Sequence, residues 1–124
     1  MDIGKLKNNY EYYEGYEGEE EIVLESVENP TLNIHIWNGY FEDIFDSPNM
    51  NGMGWHGFTR DYHQDEGAYS GERHILDLEE YKDDLLLYEN KKYNYPETSE
   101  VFSLILDFLY YAIESGDSIT MEVL

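Results

Sequence analysis

A chain of 124 residues with 28 Asp and Glu against 7 Lys and Arg carries a formal charge of −21 at neutral pH, and its length favours one domain, residues 1–124. With 41% apolar and 16% aromatic residues it is too hydrophobic for a disordered acidic tail, and its charge argues against direct binding to nucleic acid phosphates or to an anionic membrane surface. The absence of Cys removes disulfide scaffolds, thiolate zinc sites and cysteine nucleophiles.

The start, Met1-Asp2-Ile3-Gly4-Lys5, lacks the basic segment and apolar core of a secretory signal. The apolar runs at residues 85–88 and 108–113 fall far short of the roughly 20 residues that span a membrane. A cytoplasmic protein is expected. The acidity is spread along the body: residues 1–29 hold 9 acids and 2 bases, residues 30–71 hold 6 and 1, and residues 72–124 hold 13 and 4. Self-repulsion on that scale costs stability, so a functional return is expected.

Residues 10–21 consist of four Tyr, six Glu and two Gly. They read as a loop or edge segment, and equally as a recognition surface, because Tyr offers large contact area at low entropic cost. Residues 22–27 read as a strand. Leu32, Ile34 and Ile36 alternate with Asn33, His35 and Trp37, and Asn29-Pro30 supplies a turn between the two runs, so a hairpin is expected. Residues 38–71 hold six Gly and show no clear period; short strands near residues 54–62 are one reading.

Asp77-Leu78-Glu79-Glu80 has the form of a capping box, and Leu78, Tyr81, Leu85 and Tyr88 then share a helical face. A longer helix follows Pro96, with Thr98 or Ser99 as its cap. It carries one stripe of Val101, Ile105, Phe108 and Ala112, a second of Phe102, Leu106, Leu109 and Ile113, and Gly116 at its end. Ile119, Met121 and Val123 alternate with polar residues as a final strand. The pattern predicts an α+β fold: an antiparallel sheet packed against two or more helices, ending helix then strand.

No catalytic constellation stands out. The four His (His35, His56, His63 and His74) form no HExxH and no helical i, i+4 pair. Asp43, Asp46, Asp65 and Glu66 do not follow the EF-hand pattern, and His63-Gln64-Asp65-Glu66 reads as a solvated loop. GxSxG, P-loop and GxGxxG motifs are absent. No metal, cofactor or enzymatic activity is expected.

An acidic, aromatic-rich domain suits a basic protein partner. Opposite charge speeds encounter, and Tyr and Trp anchors slow dissociation. A basic protein with a functional cleft is typically one that holds phosphates, such as a nuclease. In its size, its acidic α+β pattern, its Gly54-Trp55-His56-Gly57-Phe58 turn and its closing unit over residues 96–124, the chain resembles small acidic bacterial immunity proteins of polymorphic-toxin and contact-dependent inhibition systems. That resemblance implies a non-enzymatic inhibitor that binds a cognate toxin domain inside the producing cell.

The candidate partner-binding residues are Tyr12, Tyr13, Glu14, Tyr16, Glu17 and Glu19 in the Tyr- and Glu-rich stretch. Trp55 in the Gly-rich turn and the acids Asp61, Asp65 and Glu66 join them. Two other readings use the same composition: a DNA mimic that occupies a DNA-binding protein, and a small hydrolytic enzyme with an acid pair and a His. The interleaving of Tyr with Glu, and a longest acidic run of only Glu19-Glu20-Glu21, favour a specific protein interface.

Overall fold

The computed structural model describes residues 3–46, 56–64 and 73–124. After a 3₁₀ turn at Ile3–Leu6, the elements are β1 (Asn9–Tyr12), β2 (Glu21–Ser26), β3 (Asn33–Trp37), α1 (Asn38–Phe45), α2 (Gly57–Gln64), β4 (His74–Ile75), α3 (Leu78–Leu86), α4 (Thr98–Ser115) and β5 (Ile119–Val123). The α+β class and the closing helix and strand are as the sequence predicts.

The expected hairpin is β2 and β3. Its turn is held by Asn29 O, which accepts from Leu32 N at 2.9 Å, and by Ser26 N, which donates to Leu32 O at 3.0 Å. β5 returns on the other side of β2, so the sheet order is β1-β3-β2-β5-β4. Three pairings are antiparallel. The pairing of β1 with β3 is parallel, which makes the sheet mixed. The reason is topological: the chain leaves β1, enters β2 two positions away, and the hairpin then returns β3 between them.

Period-two alternation places Ile22, Leu24, Ile34, Ile36, Ile119 and Met121 on one face, each at most 1% exposed. Phe41, Phe45, Phe58, Tyr81, Phe108 and Leu109 pack against that face in one hydrophobic cluster. Both predicted stripes of α4 enter it, except that Leu106 and Ile113 are only partly buried, and Leu104 is buried beside them.

Three local expectations change. Residues 38–45 form a helix whose Phe41, Ile44 and Phe45 share its buried face, and residues 57–62 lie in a helix rather than in short strands. Asp77 does cap α3, accepting from Glu80 N at 3.2 Å, but the Glu80 carboxylate turns to α2, where it accepts from Gly57 N at 3.2 Å and Arg60 Nη1 at 2.8 Å. Thr98 does not cap α4: its hydroxyl donates to Asp43 at 2.6 Å. Gly57 allows α2 to start directly on α3, since a Cβ there would lie 3.1 Å from the Tyr81 backbone.

Asp43 ties α1 to the start of α4. Its buried carboxylate accepts from Asn94 N, Asn94 Nδ2, Tyr95 N and Thr98 Oγ1. Burial alone would raise its pKa, but these hydrogen bonds together outweigh that and hold it below the usual carboxylate value. Lys91 completes the join by donating to the carbonyls of Asp43 and Ile44 at the end of α1. The result fixes Tyr95 close to the start of α1.

Candidate partner-binding surface

After β1 the chain turns back on itself in short steps. Tyr13 N and Glu14 N donate to Tyr10 O, Tyr16 N donates to Tyr13 O, and Glu19 N donates to Tyr16 O. Gly15 at φ 92° and Gly18 at φ 96° make these turns possible, because both sit in the left-handed region. The turned segment is pinned by Tyr13 Oη, which donates to Glu19 O at 2.7 Å, and by Gly15 N, which donates to the Glu17 carboxylate at 3.1 Å.

This folding lays Tyr16 on Trp37, with ring centroids 4.0 Å apart and planes 5° from parallel. Trp37 Nε1 donates to Glu19 Oε1 at 3.1 Å. The Trp37 ring meets Tyr40 edge-on at 5.3 Å and Tyr95 at 5.5 Å, and Tyr40 meets Tyr95 at 5.9 Å and Tyr12 at 6.4 Å. Such pairs each contribute about 0.5–1.5 kcal/mol beyond burial, so the cluster is preorganised. Gly39 is required for it: a Cβ at that position would lie 2.3 Å from the Trp37 ring.

The cluster is buried at its base and open at its rim. Tyr40 is 4% exposed, whereas Tyr95 is 42% exposed and Tyr12, Tyr13, Tyr16 and Trp37 are half-buried. Burial raises the Tyr40 hydroxyl's pKa, with Tyr16 adding to the effect. Tyr12 is pushed up to about 12 by burial, then by the charges of Glu11 and Glu100. Glu11, Glu14, Glu17, Glu19 and Glu20 of the same segment are exposed. Among the described residues none of these five is ion-paired, although ten ion pairs occur elsewhere.

Six of the sequence-predicted residues, Tyr12, Tyr13, Glu14, Tyr16, Glu17 and Glu19, are thus brought together. Asp61 is not with them. It lies at the opposite edge of the sheet, beside β4, where its carboxylate accepts from Tyr81 Oη at 2.6 Å and faces His74 Nε2 at 3.2 Å and Arg60 Nε at 3.7 Å. That side chain is 13% exposed and clamps α2 to α3 and β4. Burial, with Asp61 next to it, raises the Tyr81 pKa. Trp55, Asp65 and Glu66, with most of the Gly-rich turn, lie outside the described residues.

The sequence reading missed Trp37, Tyr40 and Tyr95. Trp37-Asn38-Gly39-Tyr40 does place two large rings within two residues of a glycine at a strand end. Among the described residues no group of three or more His, Asp and Glu could hold a metal ion, and no helix is long and apolar enough to cross a membrane. Comparison with protein-family models, curated proteins and solved structures finds no match to the chain.

Proposed function

We propose that this chain is a non-enzymatic inhibitor of a basic protein, a toxin domain of nuclease type, and that it acts in the cytoplasm by covering the partner's substrate cleft. One observation carries the reading: a preorganised cluster of Tyr16, Trp37, Tyr40 and Tyr95, open at its rim, in a segment whose exposed carboxylates make no ion pair among the described residues. Rigid aromatic anchors lose little entropy on binding and dominate interface energetics. Unpaired surface carboxylates repel one another, and a cationic partner relieves that repulsion while being steered by it. A nuclease presents the required positive cleft because it must hold phosphates.

Mimicry of DNA has less support. On α4, Glu100, Asp107 and Glu114 recur at seven-residue steps, about 10.5 Å apart. One DNA strand carries a charge per about 3.4 Å of axis, so this row is far sparser than a phosphate backbone.

The test is co-purification from the native cell followed by reconstitution. The bound protein should be basic, and one equivalent of the chain should abolish its nuclease activity. Trp37→Ala with Tyr16→Ala should release it. A chain that retains no basic protein, or that suppresses activity only by consuming a small molecule, contradicts the proposal.

A further inference from the structure

We propose that the groove between β1 and the amino-terminal half of α4 receives an arginine side chain of the partner, an inference that rests on the binding role proposed above. The groove has a volume of about 440 Å³. Glu11 and Tyr12 line it from β1, and Ser99, Glu100, Ser103 and Asp107 line it from α4. The α4 residues fall at i, i+1, i+4 and i+8, so they share one helical face. Leu104, 5% exposed, adds an apolar surface, and Lys5 and Asn9 complete the lining.

The chemistry matches a guanidinium better than an ammonium. A planar guanidinium stacks on an aromatic face and bonds carboxylates in a fork, whereas an ammonium is a compact, strongly hydrated point charge. Tyr12 supplies the ring. Glu11 and Glu100 both raise the Tyr12 hydroxyl's pKa, so their charges act on one neighbourhood. Three carboxylates against Lys5 leave the lining net negative, and among the described residues none of the three is ion-paired. The small hydroxyls of Ser99 and Ser103 keep the space open and offer acceptors to the outer N–H groups.

Strand addition is the less suited mode at this edge. Glu11 N already donates to Asn9 Oδ1, and Tyr10 O already accepts from Tyr13 N and Glu14 N, so two of the edge strand's backbone groups are engaged locally. The groove therefore asks for a side chain rather than a strand. Tyr12 belongs both to this groove and to the aromatic cluster, which makes the two surfaces continuous.

The experiment is an amide NMR titration of the full chain with acetyl-Arg-Arg-amide, and with acetyl-Lys-Lys-amide as the matched control, at constant ionic strength. The arginine probe should give saturable shifts confined to Tyr12, Ser99, Glu100, Ser103 and Leu104, and should bind at least fivefold more tightly than the lysine probe. Ser103→Trp, which fills the groove without changing charge, should abolish the response. Glu100→Gln, at an exposed position, should weaken it at least threefold. Shifts spread over the whole acidic surface, equal response to both probes, or a response that survives Ser103→Trp overturns the proposal. Inhibition of a basic partner that persists in Ser103→Trp removes the groove and leaves the binding role standing. A groove that binds the arginine probe in a chain with no basic partner does the reverse.

Discussion

At the β1 edge of the sheet Glu14 and Glu17 face solvent beside the half-buried rings of Tyr13 and Tyr16, whereas near β4 Asp61, Glu80, Tyr81 and Arg60 face one another. Both regions combine Tyr with acids. What differs is the supply of donors. Near β4 the carboxylates receive Tyr81 Oη, Arg60 Nη1 and Gly57 N, and the group closes on itself. At the β1 edge Glu17 accepts from Gly15 N and Glu19 from Trp37 Nε1, and among the described residues none of the exposed carboxylates there is ion-paired. A Tyr–acid pair thus closes into the fold or stays at the surface according to its donors, not according to its composition.

Two buried acids sharpen the same contrast. Asp43 has four donors and a lowered pKa, so its stabilisation is present above the ordinary value of 3.8 and is lost as pH falls through its folded value. Among the described residues Asp84 accepts only from Thr59 N and Thr59 Oγ1, each at 2.9 Å. Burial pushes it up to about 6, against the opposing effect of those bonds. The folded state therefore holds this proton more tightly than the unfolded state. Its contribution is fully present below about pH 4 and is lost as pH rises through about 6.

The largest effect is expected from Asp43→Ala. It leaves four donors without their acceptor and should cost about 3 kcal/mol or more in urea unfolding; a loss below about 1 kcal/mol would mean that the junction of α1 and α4 is held by packing alone. Next is Asp84→Asn. Measured against the parent chain, it should flatten the fall in stability between pH 4 and 7 by about 2–3 kcal/mol. Parallel pH profiles for the two chains would place the Asp84 carboxyl in contact with water.

Tyr16→Ala should weaken partner binding by about 2 kcal/mol while changing stability by less than about 1 kcal/mol. The reverse ranking would make the stacked Tyr16–Trp37 pair a fold element. Gly39→Ala should act through the Trp37 ring, which must move. We expect a fluorescence change and a loss of affinity of about 1 kcal/mol. An unchanged emission spectrum would show that the ring has room.

The sheet was legible because each strand buries one face: Ile34 and Ile36, and Ile119 and Met121, alternate cleanly with polar neighbours. α4 was legible from its two apolar stripes. α1 was hidden because Gly39 and an uncapped start obscure the Phe41, Ile44, Phe45 spacing, and the reason for that glycine is a ring from the preceding strand. The parallel placement of β1 depends on which strand enters between its neighbours, which no local period encodes. The Tyr- and Glu-rich stretch was readable as a surface. Its partners Tyr40 and Tyr95 were not, since they are distant in sequence and are joined through Asp43 and the segment before α4.

The most direct test is the association rate of the purified basic partner, measured against ionic strength for the parent chain and for Glu14→Lys with Glu17→Lys. Steering by the carboxylates at the β1 edge predicts a parent rate that falls steeply as salt rises, and a variant rate about tenfold lower at low salt that converges with the parent at high salt. A parent rate indifferent to salt, or a variant that associates as fast as the parent at low salt, contradicts it.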